Sequence, residues 1–141
     1  MTQFLVIDAS VAVRCVLPGV EQSRCIQLVE DWRREGYTLC APRLWAYELT
    51  SAVNKLVHFG QIERDEALDA LFLADMIGVE LIIPTLDHRK SAFDWARRLN
   101  RAAAYDCFYL SLAESLGCDF WTADLRLGRS VNQPWIKTIA D

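Results

Sequence analysis

Four short apolar runs, each bordered by an acidic residue, do most to limit what this chain can fold into. Phe4-Leu5-Val6-Ile7 ends in Asp8, and Asp119-Phe120-Trp121-Thr122 is followed two residues on by Asp124. Glu48 lies within Leu44-Trp45-Ala46-Tyr47-Glu48-Leu49, and Asp106 opens Cys107-Phe108-Tyr109-Leu110. A continuous apolar run such as the first is what a strand buried on both faces needs. An α/β fold that gathers these acids would hold a carboxylate cluster too charged to stand alone. A hard divalent cation is the natural partner of such a cluster. Metal-assisted hydrolysis is the chemistry to which this pattern points.

Between the runs, Gly and Pro punctuate the chain evenly, as in a compact domain without repeats or linkers. A short helix is expected after Asp8, broken at Pro18-Gly19. Residues 21–35 carry Cys25, Ile26, Leu28, Val29 and Trp32 at amphipathic helical spacing, and Gly36 ends them. Residues 37–41 read as a second strand. Pro42 then suits the first turn of a helix with Leu49, Val53, Leu56 and Val57 on one face, ending near Gly60. The spacing predicts another helix over 63–77, with Ala67, Leu68, Leu71, Phe72 and Met76 on its apolar side. Residues 80–83 read as a third strand. Asp87 is placed to cap a helix running to about Arg101, with Phe93, Ala96 and Leu99 inward. Asp106 opens a further helix closed by Gly117, residues 120–122 form a fourth strand, and 135–139 a fifth at the sheet edge. Alternation of this kind predicts a parallel α/β sheet covered on both faces.

The 141 residues suit one domain, 1–141, and the 52% hydrophobic content is ample for a packed core. No apolar run is long enough to span a bilayer, so no membrane role is expected. The start, Met1-Thr2-Gln3, lacks the basic stretch of a signal peptide, and a cytoplasmic location is the expectation. Five cysteines are an odd number without Cys-x-x-Cys spacing, which favours buried free thiols over disulfides or zinc. The formal net charge of -4 argues against a generic binder of nucleic acid, which is usually basic. The four acids alone equal that deficit, however, and a bound cation would cancel much of it. An acidic total therefore leaves a phosphate-bearing substrate open.

In open α/β sheets ligands bind beyond the carboxyl ends of the strands. Asp8 and Asp124 stand at such ends, and Asp106 stands at a helix start that can face the same edge. Glu48 borders the apolar stripe of its helix. Taken singly, each acid has an ordinary structural reading as well. Asp8 and Asp106 could simply cap the helices that follow them. Asp124 could be a turn residue, and Glu48 a solvated surface residue.

Taken together, the stretches around the acids resemble the PIN-domain nucleases, and most closely the VapC-type toxins of toxin–antitoxin pairs. The matching stretches are Val6-Ile7-Asp8-Ala9-Ser10, Tyr47-Glu48-Leu49-Thr50-Ser51-Ala52, the run from Ala104 through Tyr105-Asp106-Cys107 to Glu114, and Leu116-Gly117-Cys118-Asp119-Phe120-Trp121-Thr122-Ala123-Asp124. They follow in order along essentially the whole chain, and the last two are the most specific. The segment from Arg126 to Trp135 matches least.

The resemblance implies a three-layer α/β/α sandwich with a central, mostly parallel sheet of four to five strands. It implies that Asp8, Glu48, Asp106 and Asp124 form an acidic quartet binding Mg²⁺ or Mn²⁺, supported by the hydroxyls of Ser10 and Thr122. It further implies an endoribonuclease that cleaves RNA to leave a 5′ phosphate and a 3′ hydroxyl, an antitoxin partner and a homodimer. Arg14, Arg126 and Arg129 follow the acids closely enough to be candidates for substrate phosphates. Arg97, Arg98 and Arg101 form a second basic cluster, where favourable interaction with a helix C-terminus is the plainer reading. His58 and His88 lie outside the matching stretches and read as surface or packing residues. A maturation or quality-control nuclease, or a PIN-like binding module without catalysis, are the alternatives. A haloacid-dehalogenase phosphatase would need an acid where Ser10 stands, and a response-regulator receiver would need an acidic pair before Asp8.

Overall fold

Sequence alternation becomes a five-stranded, wholly parallel sheet in the computed structural model, which describes residues 2–139. The single-domain expectation for 1–141 thus reaches residues 1, 140 and 141, which lie outside the described residues. The strands are β1 (Gln3–Ile7), β2 (Tyr37–Pro42), β3 (Glu80–Ile82), β4 (Phe120–Thr122) and β5 (Ile136–Thr138). The helices are α1 (Ala9–Val16), α2 (Gln22–Arg34), α3 (Leu44–His58), α4 (Arg64–Met76), α5 (Leu86–Arg98), α6 (Cys107–Leu116) and α7 (Leu125–Val131). The strand order is β3-β2-β1-β4-β5. From β1 the chain steps outward to β2 and β3, then returns to the other side of β1 for β4 and β5.

Alternation along β4 shows the layers. Phe120 stacks on Tyr109 of α6, while its neighbour Trp121 packs on Trp32 of α2. Successive strand residues face opposite sides of a sheet, so α2 and α6 cover opposite faces and the fold is a three-layer α/β/α sandwich. β1 is central, and Leu5, Val6 and Ile7 are all buried, as its unbroken apolar run requires. The fifth strand is at the edge, paired with β4 alone. The five cysteines are free thiols, four buried and Cys118 half-buried. Among the described residues, no helix is long and apolar enough to cross a membrane.

Two glycines shape the elements around the later strands. Gly117 closes α6 in the left-handed conformation, at φ 62°. Gly128 lets α7 lie on β5, since a Cβ there would sit 2.9 Å from Thr138 Cγ2.

Three sequence expectations are corrected. Pro42 ends β2, paired with Ile82, rather than opening a helix; the following helix starts at Leu44. A proline is tolerated there because the ladder ends with it and Arg43 supplies the next N–H, to Ile82 O at 3.0 Å. The cap of α5 is Thr85, not Asp87. The Thr85 hydroxyl accepts from His88 N–H, and His88 Nδ1 accepts from Thr85 N–H, a reciprocal capping box. His88 is therefore a packing and capping residue. The inward faces of α4 and α5 differ from expectation in part: Ala67, Leu71, Ala96 and Leu99 face the core as expected, but the largest of the residues expected there do not. α4 buries Ala67, Ala70 and Ala74, and leaves Leu68, Phe72 and Met76 exposed. α5 buries Ala92, Trp95 and Ala96, and leaves Phe93 exposed.

On α4 the reason is proximity. The helix packs against α1 and α3, and a stripe of alanines lets the backbones approach closely. The larger side chains, offset around the helix, turn outward. Ala74→Leu is accordingly expected to destabilise the protein by about 1–3 kcal/mol through overpacking. Phe72→Ser, on the exposed stripe, should stay within roughly 0.5 kcal/mol of wild type. Urea denaturation of both variants checks this, and the opposite ranking would show that the helix packs through its large residues.

Candidate metal centre

The sheet order reverses at β1 and β4, so the strands beside that point leave a crevice at their carboxyl ends. Asp8 follows β1 directly and Asp124 follows β4 with Ala123 between, which sets both at this crevice. α3 brings Glu48, and the start of α6 brings Asp106. The four acids, with Ala9, Ser10, Ala52 and Tyr109, line one cleft of about 230 Å³. Four carboxylates from four separate segments thus share one small space.

Asp8 is the buried anchor of the cleft. Its carboxylate accepts hydrogen bonds from the Ser10 hydroxyl, the Thr122 hydroxyl and, at 3.3 Å, the Val11 N–H that starts α1. Both hydroxyls are themselves fixed. Ser10 Oγ accepts from Ala123 N–H at 3.0 Å, and Thr122 Oγ1 accepts from Asp124 N–H at 3.0 Å. The expected supporting hydroxyls therefore sit on Asp8 and tie the end of β1 to the end of β4. Burial pushes the Asp8 carboxyl up to about 6 in spite of these three donors, and the Glu48 charge adds to the rise.

Glu48 is half-buried and accepts from the Tyr109 hydroxyl at 2.5 Å. Its carboxyl is also raised, first by burial and then, against the Tyr109 hydrogen bond, by the charge of Asp106. Tyr109 is held well above the ordinary phenol range by burial and by the Glu48 charge, so it stays a donor. Asp106 does not cap α6: its side chain makes no capping bond, and Oδ2 instead accepts from Arg101 Nη1 at 2.8 Å. Asp124 does cap α7, accepting from Arg126 and Leu127 N–H at 3.0 and 3.1 Å. Asp8 and Asp124 thus serve as caps and cleft residues at once.

Two carboxyls raised chiefly by burial, with two further acids beside them and one cation, Arg101, paired to Asp106 at the edge, make the cleft strongly acidic. Its donors are all hard oxygens, the set that suits Mg²⁺ or Mn²⁺. Among the described residues, no three or more His, Cys, Asp or Glu side chains converge tightly enough to ligate one ion directly. An ion bound here would take one or two carboxylates directly and complete its shell with water, as Mg²⁺ does.

The basic residues singled out in the sequence lie outside the cleft lining. Arg14 Nε donates to Glu21 at 2.8 Å and its Nη1 to Ser10 O at 3.3 Å, and it borders a separate groove of about 510 Å³ beside Leu17 and Ile62. Arg126 and Arg129 are exposed on α7. The second basic cluster splits into three roles. Arg98 stacks over Trp95 at 4.0 Å, Arg97 Nη2 donates to Arg101 O at 2.6 Å, and Arg101 reaches Asp106. Tyr109 is a site contact that the sequence reading did not single out, and Arg101, read there as part of a basic cluster at a helix end, instead pairs with Asp106. Tyr109 is hidden in an apolar run. The signal for Arg101 was Asn100, a left-handed helix terminator that redirects the chain.

No curated protein matches the chain in sequence. Several solved structures are similar in fold. PAE2754 from Pyrobaculum aerophilum superposes with a TM-score of 0.70 at 21% identity, covering 99% of this chain and 85% of that one. VapBC2 from Rickettsia felis, bound to a DNA fragment from its promoter, gives 0.69 at 12% identity, over 96% of this chain and 97% of the other. VapC20 from Mycobacterium tuberculosis, a sarcin–ricin loop cleaving toxin, gives 0.64 at 13% identity, over 91% and 93%. At these identities the likeness shows the fold. The PIN domain model matches residues 5–130, a span that holds all four acids and both hydroxyls of the cleft, and on that match the chain belongs to the PIN domain family.

Proposed function

We propose that this protein is a divalent-metal-dependent endoribonuclease acting as the toxin of a toxin–antitoxin pair. The observation that carries the reading is the gathering of Asp8, Glu48, Asp106 and Asp124, from four separate segments, around one cleft. Membership of the PIN family supports hydrolysis of a nucleic acid backbone. Similarity of fold to VapBC2 and to VapC20 supports RNA as substrate and an antitoxin as partner. The exposed stripe of Leu68, Phe72 and Met76 on α4 offers apolar surface of the kind that an antitoxin or a second copy in a homodimer would cover. A cytoplasmic location accords with such a role.

In this reading Asp8, Glu48, Asp106 and Asp124 would hold Mg²⁺ or Mn²⁺, one or two of them directly and the others through its waters, and the ion would supply polarisation of a phosphoryl oxygen and a more acidic water. Ser10 and Thr122 orient the Asp8 carboxylate, and Tyr109 orients Glu48. The buried end of β1 keeps Asp8 out of bulk water. No histidine enters the chemistry. Arg14, Arg126 and Arg129 are proposed for neighbouring phosphates, with Arg126, beside Asp124, the nearest in sequence.

The test is cleavage of RNA by purified protein with Mg²⁺ or Mn²⁺, with EDTA and with Glu48→Gln as controls. Cleavage should require the metal and fall at least about a hundredfold in the variant, a loss in line with metal-based polarisation. Cleavage that survives both EDTA and Glu48→Gln would point to another site or another protein.

A further inference from the structure

One cation stands at the edge of the acidic cleft, paired with Asp106 of its lining. Arg101 Nη1 lies 2.8 Å from Asp106 Oδ2, with the pair about one-third exposed, 27% and 39%. The backbone that carries this arginine is over-determined. α5 ends with Asn100 in the left-handed conformation, φ 53°. Asn100 N–H donates to Arg97 O at 3.2 Å, and Arg101 N–H donates to Ala96 O at 2.9 Å, the paired bonds of a Schellman motif. The Arg101 carbonyl is taken by Arg97 Nη2 at 2.6 Å. Both main-chain polar groups of Arg101 are therefore fixed, and its side chain is mounted toward the cleft.

A part-exposed ion pair of this kind adds little to stability by itself. Its position matters more. A polyanion approaching four carboxylates is repelled unless a cation at the cleft offsets them. When a divalent ion shares Asp106, the guanidinium loses much of its partner but not its charge, because arginine is not deprotonated in proteins. Its planar fork of donors is then available at the cleft, and that geometry matches the non-bridging oxygens of a phosphodiester. Resting on the nuclease reading above, we propose that Arg101 is a substrate-binding residue, passed from Asp106 to an RNA phosphate beside the scissile bond when metal and RNA bind.

Binding of a labelled, mixed-sequence single-stranded RNA oligonucleotide can be followed by anisotropy at several NaCl concentrations. The Glu48→Gln protein serves as the uncleaving background, alone and combined with Arg101→Ala or Arg101→Lys. Arg101→Ala should weaken RNA binding by about tenfold, the scale of one charged hydrogen-bonded contact. It should also make the slope of log affinity against log salt shallower by about 0.7, one phosphate on a single strand. Arg101→Lys should keep the slope and lose part of the affinity. Calorimetric titration of Mn²⁺ alone into Arg101→Ala should show binding at least as tight as in wild type, since a competitor for Asp106 is gone.

RNA affinity and slope unchanged in Arg101→Ala would overturn the proposal. So would weakened Mn²⁺ binding in that variant with an unchanged slope, which would make Arg101 only a support for Asp106. If wild type neither binds nor cleaves RNA, the nuclease reading falls and the proposal with it. Cleavage by wild type, matched in KM by Arg101→Ala, would sink the Arg101 assignment alone.

Discussion

Asp8→Asn is expected to melt higher than wild type when both are stripped of divalent ions at neutral pH, while losing about a thousandfold or more of any RNA cleavage. The reason is the burial of Asp8. Its carboxyl titrates at about 6 in the folded protein against an ordinary value of 3.8. Between those values the folded protein holds the proton that the unfolded chain has lost. Without metal, stability therefore declines as pH rises through this window and is fully lowered above about 6. The deficit at neutral pH is about 3 kcal/mol. Asparagine keeps the shape and an acceptor while removing the charge, and hydroxyls such as those of Ser10 and Thr122 can rotate to accept from its amide. The gain in melting temperature should be roughly 5 °C or more. It should shrink below pH 4, where wild-type Asp8 is also neutral. Adding Mn²⁺ should raise the melting temperature of wild type and leave Asp8→Asn nearly unmoved. Thermal unfolding in EDTA at neutral and acid pH, then with MnCl₂, separates these cases. A wild type more stable than Asp8→Asn in EDTA at neutral pH would show that burial does not strain this carboxylate.

Phe120→Ala should be the most damaging change outside the acids, at about 3–5 kcal/mol. Phe120 is fully buried on β4, between β1 and β5, and its ring stacks on Tyr109 at 5.5 Å and 14°. Removing the ring leaves a cavity in the core and frees Tyr109 to tilt away from Glu48. Activity should fall together with stability, because the same aromatic pair holds the core and aims one carboxylate. Phe120→Leu, which keeps most of the volume, should cost less than half as much. Urea denaturation of both variants, read as a midpoint change at constant m, is the measure. A loss under about 1 kcal/mol for Phe120→Ala would place the stack outside the stabilising core.

Much of this was legible in the residues because strand ends announce themselves. Phe4 to Ile7 reads as a strand buried on both faces, which sets Asp8 at its carboxyl end, and Asp124 is placed in the same way after Thr122. What failed to read was orientation around helices. On α4, the spacing of Leu68, Phe72 and Met76 is as regular as that of Ala67, Ala70 and Ala74, and size alone selected the wrong stripe. Close approach to α1 and α3 decides that case, and it is a tertiary fact. Asp87 was expected to cap α5, and Thr85 takes that place because its hydroxyl accepts from His88 N–H while His88 reaches back to Thr85 N–H. Arg101 looked like one of three basic residues near a helix end. Only the left-handed turn at Asn100 distinguishes it from Arg97 and Arg98.

One of the two hydroxyls that hold Asp8 belongs to Thr122, 114 residues later in the chain. Synthesis proceeds from the N-terminus, so a nascent chain carries Asp8, Glu48 and Asp106 well before it carries the strand that orients the first of them. The cleft cannot close until β4 has been made and has slotted in beside β1. A nascent chain that stops before residue 120 therefore lacks both Thr122 and Asp124 and cannot assemble the cleft, however completely its earlier elements have folded.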